Sequence, residues 1–380
     1  MNPVYLDYNA TTPIDSEVAA AMMPYLYGGF GNPSSSHSFG EPTREAVAAA
    51  RAQVAHLLGC QPAEVVFTSG GTESNNYAIR GVAFSEPGRR GRIITSAVEH
   101  PAVTEVCDWL QTQGFAITRL PVDGRGMVDP ADLARAITPD TLLVTVMQAN
   151  NEVGTVQQIA ALAEIAHDHG ALFHTDAAQA VGKIPVDVEA LGVDLLTVAG
   201  HKLYAPKGVG ALYIRDGIRL AGLMYGAGQE GGRRPGTENV LEIVGLGQAC
   251  AIAGRDPDDE RLRLQDLRDR LATGLLDRLG EERVRLNGHP DRRLPNTASL
   301  SFHEVEANRL LSEIHDEVAA SAGAACHADS VEVSAVLRAM QVPLAWAKGT
   351  VRFSVGRPTT SDEVDRAVEV VANAVRRWQR

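Results

Sequence analysis

A chain of 380 residues, 44% of them hydrophobic, is long enough to bury a substantial core and predicts one large domain with a smaller lobe, or two to three domains. Its formal net charge of -12 comes without any lysine- or arginine-rich block, which argues against nucleic acid or an acidic membrane surface as partner. The N-terminal stretch Met1 to Asp7 has no charged region followed by an apolar one, and no apolar run is long enough to span a bilayer, so the expectation is a cytoplasmic enzyme.

Apolar runs of strand length recur at 64–68, 92–96, 141–146, 171–175, 195–198 and 210–214. Helical patterns lie between them at Thr43 to Leu58, Thr72 to Phe84 and Ile159 to Asp168. Strands separated by crossover helices predict an α/β fold with a largely parallel sheet covered on both faces, and such sheets gather their active sites at the strand ends. After Gly254 the composition shifts to Arg255-Asp256-Pro257-Asp258-Asp259-Glu260 and a long charged helix running to Leu279, which reads as a hinge. Beyond it an α+β lobe is expected, with strands at 296–302 and 351–355 and helices at 307–314 and 361–377. The predicted division is a large domain over 15–255 and a small one made of 1–14 with 256–380.

Chemistry-bearing residues cluster at the strand ends. Thr68-Ser69-Gly70-Gly71-Thr72-Glu73-Ser74 follows a strand and opens a helix, so its glycines let backbone amides approach a phosphate, although an ordinary loop reads the same way in isolation. The Gly-Lys-Ser/Thr ending of a nucleotide loop is missing. Lys202, after the run 193–198, and Asp176, in His174-Thr175-Asp176-Ala177-Ala178-Gln179, form a pair that suggests pyridoxal 5'-phosphate. That cofactor needs a lysine to hold its aldehyde and a carboxylate to keep its ring nitrogen protonated. His100 ends a strand where an imidazole can stack on a ring or move protons. Asn151 and Gln179 either donate to the cofactor's phenolate oxygen or cap the next helix. Arg352 alternates with apolar neighbours on a strand and suits either bidentate capture of a substrate carboxylate or a structural ion pair.

Four cysteines lie far apart, which fits neither a disulfide framework nor a zinc site. Cys107 and Cys250 read as helix-core residues and Cys60 as a helix end. Cys326 differs: its neighbours in Ser321-Ala322-Gly323-Ala324-Ala325-Cys326-His327 are small and leave the thiol free to move or be reached, unless the residue merely fills a tight turn.

Leu6 to Pro13, Gly31 to Ser35, Ser69 to Asn76, Ala149 to Glu152, His174 to Gln179, Gly200 to Lys202 and Arg352 to Arg357 together resemble the cysteine desulfurases of the class V aminotransferase-like group. The resemblance spans essentially the whole chain. Gly323 to His327 and Arg234 to Asn239 resemble the selenocysteine lyase branch more than the commonest bacterial desulfurases. It implies a fold-type I homodimer with a mostly parallel seven-stranded sheet and a small α+β domain carrying a mobile loop with the catalytic Cys326. Pyridoxal phosphate is then held by Lys202 as a Schiff base, Asp176 at the ring nitrogen, Gln179 at the phenolate oxygen and His100 against the ring. Gly71, Thr72 and His201 serve the phosphate, with Thr237 reaching the phosphate of the partner subunit. Asn151 and Arg352 hold the carboxylate of L-cysteine or L-selenocysteine, and Cys326 passes sulfur to an acceptor protein that the sequence does not name. A non-catalytic sulfur-relay role is a third possibility, opposed by the intact Lys202, Asp176 and Cys326. Two positions depart from the family pattern: Ala199 replaces a serine and Gly231 an arginine, so weaker cofactor binding is expected.

Overall fold

A computed structural model describes residues 3–327 and 330–378, with 324–327 and 330–332 described by backbone alone. Seven strands form the main sheet in the order Val65–Thr68, Gly210–Ile214, Leu195–Ala199, Leu172–Asp176, Thr141–Thr145, Arg92–Ser96 and Ala116–Leu120. All pairings are parallel except the two made by Gly210–Ile214. Period-2 alternation divides the side chains between two faces. Val65, Phe67, Leu196, Val198, Ala211 and Tyr213 join one hydrophobic cluster with helices Gly40–Leu58, Ile159–Asp168 and Val240–Ala253. Val66, Leu195, Leu212 and Ile214 join another with helices Gly71–Ala83 and Pro101–Thr112. Burial on both faces is why these strands read as unbroken apolar runs.

Six of the strands fall within a residue or two of the runs predicted for them. The seventh, Ala116–Leu120, lies at the sheet edge with Ala116 and Arg119 exposed, so it carries no continuous apolar signal.

Beyond Gly254 a four-stranded antiparallel sheet runs Ser321–Ala322, Thr350–Ser354, Thr297–Phe302, Val284–Asn287. Helices Pro257–Leu279 and Ser361–Trp378 cover it; the latter buries Val364, Ala367, Val368, Val371, Ala372 and Val375, an i, i+3, i+4 stripe. Val4 and Leu6 share this same cluster, because strand Val4–Tyr5 pairs in parallel with Val318–Ala319. The N-terminus is thus fastened to the C-terminal unit, and residues 7–12 run from there across the ends of the main strands. No helix among the described residues is long and apolar enough to cross a membrane.

Candidate active site

A cavity of about 410 Å³ opens where the parallel strands end, and its walls come from the segments that follow five of them. Gly71 and Thr72 follow strand 65–68, His100 follows 92–96, Asn151 follows 141–145, Asp176 ends 172–176 with Gln179 after it, and His201 and Lys202 follow 195–199. Arg352, from the antiparallel sheet, closes the far side. Nine of the predicted residues are therefore brought together. Thr237 is not among them: it is exposed on the loop after 229–232, outside this chain's cavity. The backbone of Cys326 lies on Ala324–His327, paired with Ser330–Val333, and its side chain falls outside the described residues.

The anion cup depends on two glycines. Gly70 caps the helix Gly71–Ala83 at φ 144°, a conformation that favours glycine. Gly210 lets that loop close on the sheet, since a Cβ there would lie 2.7 Å from Gly70 Cα and 2.5 Å from the carbonyl oxygen of Val198. The first amides of the helix are thereby left facing the cavity with the positive end of its dipole. Glu73, in the first turn, accepts from the amide of Ser69 (2.8 Å) and pairs with Arg234 (2.9 Å), tying the loop that carries Thr237 to the cup. Ala199 floors the cup, within 3.3 Å of where a Cβ on Gly71 would stand. Ala199→Ser should add one hydroxyl donor there and slow cofactor loss about fivefold, as one net hydrogen bond supplies; dialysis followed by absorbance reads it.

Lys202 sits on the single turn Gly200–Lys202, its amine donating to the carbonyl oxygens of Asn9 and of Ala10 (2.9 Å to the latter). Burial, helped by the Arg352 cation and opposed by Asp7 and Asp176, brings its pKa down to about 8. The neutral, nucleophilic amine is therefore reached near physiological pH. Asp176 is 6% exposed; its Oδ2 accepts from Asn75 Nδ2 (2.7 Å) and its Oδ1 from the amide of Ala178 (2.9 Å), which fixes the carboxylate at the strand end. His100 is the N-cap of helix Pro101–Thr112, with Nδ1 accepting from the amide of Ala102 (3.1 Å). That bond leaves the proton on Nε2, and burial holds the ring's pKa below the usual histidine value, so a neutral flat imidazole borders the cavity. Burial, reinforced by neighbouring cations, brings His201 down to about 4. Gln179 is clamped at both ends, Nε2 donating to Asn9 O (3.0 Å) and Oε1 accepting from Lys183 Nζ (2.7 Å).

Burial pushes the thiols of Cys60, Cys107 and Cys250 up to about 12, so none of the three is a ready nucleophile. Sequence reasoning missed Asn75, Asn9 and Asp7. Asn75 had a signal, lying three positions after Thr72 on the helix face that opens the cup. Asn9 lay within a polar cluster, but its role is long-range: fully buried, it bonds Thr297 Oγ1 (2.8 Å), Asn296 (3.0 Å) and Ser354 Oγ (2.9 Å).

The donor set fits pyridoxal phosphate. One half-buried amine, one fixed carboxylate, a flat imidazole and a helix N-terminus line a single cavity, and Asn75 Oδ1 and Arg352 Nε are buried there without partners. The family model described as Aminotransferase class-V matches residues 4–367. The chain belongs to that family. Within the family, a cysteine desulfurase IscS of Methanosarcina thermophila is 47% identical over 375 residues, covering 98% of this chain and 92% of the relative. A cysteine desulfurase NifS of Azotobacter vinelandii is 46% identical, covering 98% and 92%. Among solved structures, a NifS-like protein matches with a TM-score of 0.92 at 36% identity, covering 98% of this chain and 99% of its own. A structure described as SspA in complex with cysteine matches at 0.80 and 37% identity, covering 92% and 98%. This family membership agrees with the seven-stranded α/β fold and with the resemblance in the sequence.

Proposed function

We propose that this chain is a pyridoxal-phosphate-dependent cysteine desulfurase that converts L-cysteine to L-alanine and retains the sulfur on Cys326 as a persulfide. The observation that carries the reading is the convergence of the lowered-pKa amine of Lys202, the carboxylate of Asp176 and the guanidinium of Arg352 on one cavity. The names of the relatives favour it over a selenocysteine lyase.

When bound, pyridoxal phosphate supplies an electron-withdrawing ring that stabilises negative charge at the substrate Cα. Gly71, Thr72 and His201 would receive its phosphate, Asp176 would hold the proton on the ring nitrogen, Gln179 and Asn151 would meet its polar edge, and His100 would flank the ring. Lys202 would hold the cofactor's aldehyde and, as a free amine, would move a proton at the substrate Cα. Arg352 and Asn151 orient the substrate carboxylate. The Cys326 thiolate then attacks the substrate sulfur: an S–S bond forms, the Cβ–S bond breaks, and carbon takes up the electron pair and a proton to give alanine.

The small domain, residues 1–14 with 256–380, brings Cys326 to the cavity in this reading, and an acceptor protein takes the sulfur afterwards. A cytoplasmic setting keeps the thiol reduced between turnovers. A second copy of the chain covers the exposed apolar residues Met23, Leu26, Tyr27, Phe30 and Phe39, and Thr237 completes the partner's phosphate site. Side-by-side turnover of L-cysteine and L-selenocysteine tests the assignment; alanine released from selenocysteine alone would overturn it.

Asp176→Asn keeps the hydrogen-bonding shape but removes the charge that favours a protonated ring nitrogen. The variant should bind cofactor yet turn over at least ~100-fold more slowly, within the range for a misplaced proton in catalysis. Near-wild-type turnover in a cofactor-loaded preparation would reduce Asp176 to a structural role.

A further inference from the structure

Arg352 reaches the cavity with both protons of Nη2 already committed. Nη2 donates to Asp7 Oδ1 (2.7 Å) and to Ser321 Oγ (3.1 Å), and Nη1 to the carbonyl oxygen of Asn151 (3.1 Å). Ser321 closes a triangle by donating its hydroxyl to the same Asp7 Oδ1 at 2.9 Å. Nε is buried and has no partner. A carboxylate captured by two parallel N–H groups uses either the Nε/Nη2 edge or the Nη1/Nη2 edge of a guanidinium. Both edges include Nη2, and its two protons are taken by Asp7 and Ser321. An incoming substrate carboxylate therefore has to displace one of them.

The displaced bonds belong to the segment that leads to Cys326. Ser321 is the direct cross-strand partner of Arg352, and Gly323 follows with its amide on the carbonyl oxygen of Thr350 (2.8 Å) and its own carbonyl accepting from Ser334 (3.2 Å). From Gly323 the chain enters the strand Ala324–His327. Asp7 comes from the other end of the chain, next to Leu6 in the small-domain core. One carboxylate thus fastens the N-terminal segment, the substrate-facing guanidinium and the root of the cysteine-bearing hairpin.

We propose that Asp7 is a positioning residue that serves as the resident counter-ion of Arg352, and that its exchange for the substrate carboxylate loosens the Ser321 strand that leads to Cys326. The inference rests on the desulfurase reading above. Carboxylate capture and hairpin release are then two sides of one coupling, so each must favour the other. Asp7 competes with substrate for Nη2 while the site is empty and holds the hairpin root in place until substrate arrives.

The experiment is backbone hydrogen exchange of the cofactor-loaded protein over residues 319–327, with and without saturating L-alanine, alongside steady-state kinetics on L-cysteine. In the wild type, L-alanine should speed exchange in that segment. In Asp7→Asn the charge competition is gone: KM for L-cysteine should fall about fivefold, a change of the size an ion pair supplies, while exchange is already fast and no longer responds to L-alanine. Ser321→Ala keeps the Asp7–Arg352 pair but cuts the link to the strand, so it too should exchange fast and without response, which keeps the test decisive if Asp7→Asn does not fold. An unchanged or raised KM in Asp7→Asn, or a wild-type segment indifferent to L-alanine, overturns the proposal. Alanine formation from L-cysteine by the same wild-type preparation separates the two layers: turnover without an exchange response sinks the coupling alone, whereas no turnover sinks the desulfurase reading beneath it.

Discussion

Replacing Lys202 by alanine should remove both the yellow absorbance expected of the cofactor-loaded protein and its turnover, the latter by at least ~10⁴-fold, because the proposed function gives this one residue both the covalent tether and the proton transfer. The environment of the amine adds a pH signature. Its pKa is brought down from 10.5 to about 8, so the neutral form that attacks an aldehyde is scarce below pH 8 and dominant above it. Cofactor uptake by the stripped wild-type protein should accordingly accelerate as pH rises through 8 and then level off. A profile still climbing towards 10 would mean that burial and Arg352 do not govern this amine. A Lys202→Ala protein that still forms alanine at the wild-type rate would remove the lysine from the mechanism.

Cys326→Ala should abolish alanine formation from L-cysteine while leaving measurable activity on L-selenocysteine. The difference follows from the leaving atom: a selenol is more acidic than a thiol and departs without nucleophilic help, whereas sulfur has to be pulled off by a thiolate. The other three cysteines cannot substitute, their thiols being pushed up to about 12 by burial. Undiminished desulfuration by this variant would place the sulfur-accepting group elsewhere.

The residues legible in the sequence were those whose position follows from local pattern. Lys202 and Asp176 stand directly after apolar runs, so a strand-then-turn reading puts both at one sheet edge without any knowledge of the third dimension. The cup at 70–72 was readable for the same reason, since a strand, two glycines and a helix start are consecutive. Asp7 and Asn9 were out of reach because their partners lie 345 positions away in Arg352 and Ser354. No periodicity encodes such a pairing; it arises only when strand 4–5 pairs with 318–319 and carries residues 7–10 to the cavity. The sequence finds Arg352 but leaves open the choice between substrate clamp and ion pair; the structure shows the ion pair with Asp7 and a place in the cavity wall. The edge strand Ala116–Leu120 was missed because an edge has one partner and little to bury, leaving polar residues where a central strand has apolar ones.

The central claim is sulfur transfer to Cys326, and it is tested most directly by mass spectrometry of peptides from the cofactor-loaded protein after brief exposure to L-cysteine without reductant. The peptide containing Cys326 should gain the mass of one sulfur atom, lose it on treatment with a thiol reductant, and show no gain when Lys202 is replaced by alanine. An unmodified Cys326 peptide from a preparation that is releasing alanine would contradict the claim.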